Sequence, residues 1–331
     1  MSFPKTRLRR LRKSANVRRL IKNISLSKDD LLYPIFVKEG IKEKSEIKSM
    51  PRQWHHSLET LNEVINDCES AGIPGVIVFG IPENKNDRGS EAFNDQGIVQ
   101  TAVSRIKSES GLAVFTDVCL CQYTTHGHCG ILDESGLNND KTLEVLRKTS
   151  VSHARAGADF VSPSGMIDGQ VKEIREALDD EGFGGVGIMS YSAKFASNFY
   201  GPFRDAVESS PKKVEGLPHL GDRSTYQMDF KTREQPMREI KLDVEEGADI
   251  VMVKPALPYL DVIREARQTF DVPISAYQVS GEYSMIKRLS ENDEDYEKKL
   301  FLESLNSIKR AGANFIITYG ALDVSRWLSE T

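Results

Sequence analysis

Eight short apolar runs recur along the chain, separated by polar or amphipathic stretches, and this rhythm restricts what it can fold into. They are LLYPIFV (31–37), GVIVFGI (75–81), LAVFTDV (112–118), DFVSPS (159–164), VGIMSYSA (186–193), DIVMVKPA (249–256), VPISAYQV (272–279) and NFIITYG (314–320). Most are β-branched and continuously apolar, the pattern of parallel strands covered on both faces. Between them lie helix-like stretches, among them 57–72, 143–158, 169–182 and 301–313, each ending at Gly or Gly-Ala, where a helix C-cap belongs. Eight such units in 331 residues predict an α/β chain folded as a (β/α)8 TIM barrel. A doubly wound open sheet is the alternative, but no G-x-G-x-x-G follows the first strand.

In a barrel the C-terminal strand ends converge on one mouth, where catalysis takes place. Asp117, Ser164, Lys194, Lys254, Ser280 and Tyr319 all fall at or just after such ends. In TDVCLCQYTTHGHCG, Cys119, Cys121 and Cys129 are spaced C-x-C-x7-C around His126 and His128, so three of the chain's four cysteines share one loop. A structural knot, a redox pair and a catalytic metal site are the three readings. C-x-C lacks the paired C-x2-C knuckles of a structural ribbon, and adjacent-cysteine disulfides are strained. Three thiolates leaving a fourth position open at a barrel mouth make a catalytic zinc arrangement.

Lys194 and Lys254 each follow an apolar strand core. A lysine there must find a partner or shed its charge. Bringing its pKa from ~10.4 to ~7 takes roughly 4–5 kcal/mol, which burial and a second ammonium can supply. A neutral amine forms Schiff bases with ketones. A salt-bridged structural lysine is the plainer reading for either one alone; two on consecutive strands favour catalysis. Arg204 and Arg223 offer bidentate forks for carboxylates, and the polar segment between them reads as a lid near 205–234.

Charge divides the chain further. Residues 1–22 hold nine Lys or Arg and no acid, so the remainder carries 35 bases against 49 acids, a net −14. A basic arm on an acidic body can bind nucleic acid, address an organelle or dock on a neighbouring subunit. The arm lacks aromatic interleaving and any nucleic-acid motif, so nucleic acid is not expected as a partner. No apolar run approaches the ~18 residues needed to span a bilayer, so no membrane is expected either. Few cysteines, mostly clustered, suit a reducing cytoplasm.

The stretches RLRRLRKS, LLYPIFVKEG, GSEAFNDQGIVQ, TDVCLCQYTTHGHCG, MSYSAKFASNFYGPFRDA, GDRSTYQMD, GADIVMVKPALPYLD, AYQVSGEYSMIK and SIKRAGA together resemble, in order and over nearly the whole chain, the porphobilinogen synthase (5-aminolevulinate dehydratase) family. That resemblance implies a TIM barrel at 31–331 and a subunit-contacting arm at 1–30. It implies condensation of two 5-aminolevulinate molecules to porphobilinogen, on the way to heme. Lys254 matches the lysine forming the Schiff base with the first-bound substrate, and Lys194 its partner for the second. Cys119, Cys121 and Cys129 match the zinc site of the cysteine-rich branch. Ser280 and Tyr319 match the hydroxyls holding one substrate carboxylate; Arg204, Arg223 and Gln227 match the clamp for the other. Asp117 and Ser164 match polar residues near the reacting atoms. Glu239 aligns with a glutamate that helps hold an allosteric magnesium, and the implied assembly is a homo-octamer. Gln122 stands where glutamate is usual, with a small effect expected. Gly320 replaces an aromatic, which is expected to loosen the pocket, PRQWHHS (51–57) replaces a commoner PGVYRLS-like turn, and the lid is longer than in many members. A single-lysine aldolase and an inactive zinc-binding homologue are the competing readings; the first needs no cysteine loop, and the second would have lost site residues.

Overall fold

Each of the eight apolar runs forms a parallel strand in the computed structural model, which describes residues 4–291 and 293–330. Residues 1–3 of the expected arm, and residues 292 and 331 of the expected barrel, lie outside the described residues. The strands are β1 (Leu31–Lys38), β2 (Gly75–Ile81), β3 (Ala113–Val118), β4 (Phe160–Pro163), β5 (Gly187–Lys194), β6 (Ile250–Lys254), β7 (Ile274–Gln278) and β8 (Phe315–Thr318). They pair in sequence order, and Leu31 and Leu32 of β1 lie opposite Ile316 and Ile317 of β8, which closes the barrel. Their residues are buried almost throughout, as continuous apolar runs require when helices cover the outside.

Helices return the chain to the base of each next strand. They are α1 (Leu61–Ala71), α2 (Ile98–Glu109), α3 (Asn139–Arg155), α4 (Gln170–Asp180), α5 (Gln235–Glu245), α6 (Leu260–Thr269), α7 (Ser280–Ser290), α8 (Glu294–Ala311) and α9 (Ala321–Ser329). The expected C-caps hold: α1 ends at Gly72, whose φ of +71° is left-handed and accessible to glycine at little cost. At the strand-start end of the barrel Phe115 stacks on Phe160 with centroids 4.5 Å apart and touches Phe315 at 6.2 Å. Because β3 and β8 are not neighbours, that contact crosses the interior and fills the barrel floor.

Before β1, Leu8–Arg12 forms a 3-10 turn and Ala15–Leu20 a short helix, neither with a buried residue. Leu8, Leu11, Leu20 and Ile21 are all exposed. No helix among the described residues is long and apolar enough to cross a membrane.

Candidate functional site

The pairing of β5 with β6 shifts register between Val251 and Val253, and beyond the shift Lys254 lies directly opposite Lys194. Two lysines thus end adjacent strands side by side, both buried. Lys254 Nζ sits 4.0 Å from the Tyr277 ring centroid, 4.9 Å from those of Tyr191 and Phe203, and 5.5 Å from that of Tyr200. Aromatic faces favour an ammonium, yet they remove the water that solvates it. Burial, then the neighbouring Lys194 charge, hold Lys254 well below the ordinary lysine pKa. Lys194 Nζ donates to the Ser164 carbonyl at 2.5 Å. Asp117 faces the same space; burial raises its pKa and the Lys194 charge opposes that rise.

The loop leaving β3 carries the thiols. Cys119, Cys121 and Cys129 are buried, and their Sγ atoms lie within 4.8 Å of one another. Sulfurs bound at about 2.3 Å around a tetrahedral zinc stand roughly 3.8 Å apart, so this cluster fits such an ion. Hydrogen bonds from Cys119 and Cys121 pull the Cys129 thiol well below its ordinary pKa, with the Arg223 charge assisting. The sequence undervalued Gln122. It is 2% exposed, donates from Nε2 to Asp117 Oδ2 at 3.0 Å and accepts from the Cys121 thiol at 3.3 Å, joining the thiol cluster to the carboxylate.

The expected lid lies against this loop. Arg223 Nη2 donates to the carbonyls of Gly127 (2.9 Å) and Ser209 (2.6 Å), and Lys212 N donates to the His126 carbonyl at 3.0 Å. Tyr226 hydroxyl bridges His128 Nδ1 at 3.1 Å and the Cys129 backbone N–H at 3.4 Å. Met228 N donates to the Lys194 carbonyl, which ties the end of the lid to β5. Arg204 Nε, Arg223 Nε and both amide atoms of Gln227 are buried without a protein partner. Buried polar atoms without partners are costly; a carboxylate would satisfy the three N–H donors, and an amine or hydroxyl the Gln227 Oε1.

On the opposite side, Ser280 Oγ accepts from Phe203 N at 3.0 Å and donates to the Phe199 carbonyl at 3.3 Å. Tyr319 hydroxyl accepts from Tyr277 hydroxyl at 3.0 Å, which leaves its own proton free to be donated. Gly320 does not loosen this wall: a Cβ there would stand 2.6 Å from the Phe301 ring, which occupies the space. Glu239 lines a cavity that also reaches Tyr226 and Gln227. It is half-buried on α5, beside a second cavity of about 310 Å3 also lined by Asp168, Arg238, Asp243 and Glu246, and burial with Asp243 and Asp168 raises its pKa.

With the geometry in place, the chain can be set against known proteins. The family model described as Delta-aminolevulinic acid dehydratase matches residues 5–327. The Delta-aminolevulinic acid dehydratase of Methanothermus sociabilis is 55% identical over 325 residues, covering 98% of this chain and 99% of that one. That of Bacillus subtilis (strain 168) is 49% identical over 331 residues, the whole of both chains. A crystal structure of the Toxoplasma gondii ME49 delta-aminolevulinic acid dehydratase (porphobilinogen synthase), in complex with the reaction product porphobilinogen, superposes with a TM-score of 0.94 at 40% identity, covering 98% of this chain and 92% of that one.

Proposed function

The chain belongs to the delta-aminolevulinic acid dehydratase family, and from that premise we propose that it condenses two molecules of 5-aminolevulinate, with loss of two waters, to the pyrrole porphobilinogen for heme synthesis. The observation that carries this reading is the pair of lysines at the ends of β5 and β6, facing one mouth with three clustered thiols.

Lys254 is the nucleophile for the first substrate. Its depressed pKa raises the neutral fraction of the amine, which attacks the ketone and forms an imine as water departs. The free proton of Tyr319, together with the Ser280 hydroxyl turned away from the Phe199 carbonyl, holds that molecule's carboxylate. Lys194 engages the second ketone, and Arg204, Arg223 and Gln227 clamp the second carboxylate with the N–H groups that lack protein partners. Asp117 stands where it can take the proton lost from carbon beside an imine, and Gln122 orients it. Two different clamps give two identical molecules different orientations. The lid, pinned on the cysteine loop, keeps out the water that would hydrolyse imines. Cys119, Cys121 and Cys129 would hold zinc, which when bound would supply a Lewis acid for a substrate oxygen or amine.

The assembly is a homo-octamer built through the arm at residues 1–30. Supporting this are the arm's exposed Leu8, Leu11, Leu20 and Ile21, and an apolar groove of about 770 Å3 along α7 and α8 with exposed Met285 and Leu289. Glu239, beside its acidic neighbours, holds an allosteric magnesium, and the protein works in the cytoplasm.

The test is colorimetric. Purified protein, 5-aminolevulinate and a thiol reductant should yield pyrrole that disappears with a zinc chelator and returns with zinc. Pyrrole persisting after chelation would remove zinc from the mechanism; no pyrrole with any metal would overturn the reaction.

A further inference from the structure

The turn PRQWHHS (51–57) forms part of the substrate pocket's outer support. Gln53 is 4% exposed. Its Oε1 accepts from Tyr33 hydroxyl at 3.1 Å, while Nε2 donates to Tyr283 hydroxyl at 3.2 Å and to the Tyr319 carbonyl at 3.1 Å. Tyr283 hydroxyl in turn donates to the Pro51 carbonyl at 2.6 Å. One amide therefore joins β1, the turn, α7 and the residue just beyond β8.

The place of Tyr319 in the chain makes this matter. The ladder of β8 ends at Thr318, so the Tyr319 carbonyl has left the sheet. A buried carbonyl needs a donor, and Gln53 supplies it. The turn is itself held firmly. Arg52 adopts φ +62°, a left-handed conformation unfavourable for a side-chain-bearing residue. Its guanidinium faces Glu297 at 3.6 Å and Asp323 at 3.8 Å, the carboxylates that also flank buried Lys287. Gln53 is thus delivered inward by a turn anchored to α8 and α9.

We propose that Gln53 is a positioning residue for the first-bound substrate: by fixing the Tyr319 backbone just past the end of β8, it aims the Tyr319 hydroxyl proton at the substrate carboxylate. The proposal rests on the reading of Tyr319 as a carboxylate holder. It predicts that losing Gln53 weakens recognition of the carboxylate and leaves the amine chemistry of Lys254 intact.

Two ketones separate these effects. Levulinate carries a ketone and a carboxylate; butanone carries the ketone alone. Either forms an imine with Lys254 as water leaves, and borohydride reduces that imine to a stable amine countable by mass spectrometry. In Gln53→Met the levulinate concentration giving half-maximal trapping should rise about tenfold, the factor made by about 1.4 kcal/mol. Tyr283→Phe, which removes one acceptor and the link to Pro51, should raise it a few-fold. Butanone trapping should not change in either variant. Parallel loss with both ketones, or no change with either, overturns the proposal. If Gln53→Met folds poorly, Tyr283→Phe decides by the same ratio. Tyr319→Phe tests the parent reading: an unchanged preference for levulinate over butanone there removes Tyr319 from carboxylate binding, and the Gln53 proposal with it. A lowered preference in Tyr319→Phe beside an unchanged one in Gln53→Met overturns the Gln53 proposal alone.

Discussion

Two identical molecules must be received by two half-sites, and the halves are built from different material. Around Lys254 the walls are tyrosine and phenylalanine rings, carried on β5, β7 and the short helix Gly201–Ala206, with the Tyr191 hydroxyl unpartnered and the Tyr319 proton free. Around Lys194 the walls are a thiol loop and a long lid, and Arg204, Arg223 and Gln227 keep polar atoms without protein partners. The first half leaves hydroxyl groups for a ligand to complete; the second leaves guanidinium and amide groups. Rigid, dry surroundings suit a group whose pKa must stay depressed, whereas a loop-borne clamp suits a molecule that arrives second and is then covered.

The largest expected effect sharpens that division. Lys254→Met should lower turnover on the order of 10⁴-fold or more, as loss of a covalent nucleophile does. Turnover surviving on Lys194 alone, followed as pyrrole formation, would break the comparison. Cys129→Ser comes next: it should release zinc, measured by a chromophoric chelator, and stop turnover, while imine trapping at Lys254 continues. Arg204→Met should follow, with pyrrole formation requiring about tenfold more substrate or beyond, because a charged hydrogen bond contributes roughly 1.5–3 kcal/mol; the trapped first imine should be unaffected.

The pH dependence gives a smaller effect of fixed sign. Because burial and Lys194 lower the Lys254 pKa, imine trapping should fall off at lower pH than it does for an ordinary lysine, whose neutral fraction drops about tenfold per pH unit below its pKa. Lys194→Met should move that profile to higher pH only in part, since burial is the larger cause. The smallest effect belongs to Lys38 and Glu208, an ion pair at 2.5 Å at the lid's edge with both side chains partly exposed. Glu208→Gln should change thermal stability by no more than about 1 kcal/mol.

The sequence made the strand-end residues legible, and the reason is geometric. A continuous apolar run announces a buried strand, and its last polar residue must then face the mouth, as Lys194 and Lys254 do. The thiol cluster was legible because its members share one short loop. Gln53 was not, because its partners Tyr283 and Tyr319 lie 230 and 266 residues away and no periodicity encodes that meeting. Gln122 was visible as a departure from a pattern, yet its bonds to Asp117 and Cys121 depend on a loop conformation that spacing does not specify. The space beside Gly320 is filled by Phe301 of α8, a compensation between elements that a reading of one motif cannot contain.

The stacked rings of Phe115 and Phe160, with Phe315 against them, have a consequence for traffic. A barrel floored with aromatics has one doorway. Both reactants, the expelled water and a product larger than either reactant all pass through it. If the two reactants bind in the order proposed, the deeper guest would be shut in by the later one. On the function proposed above, the order of events would be a property of the vessel as much as of its affinities.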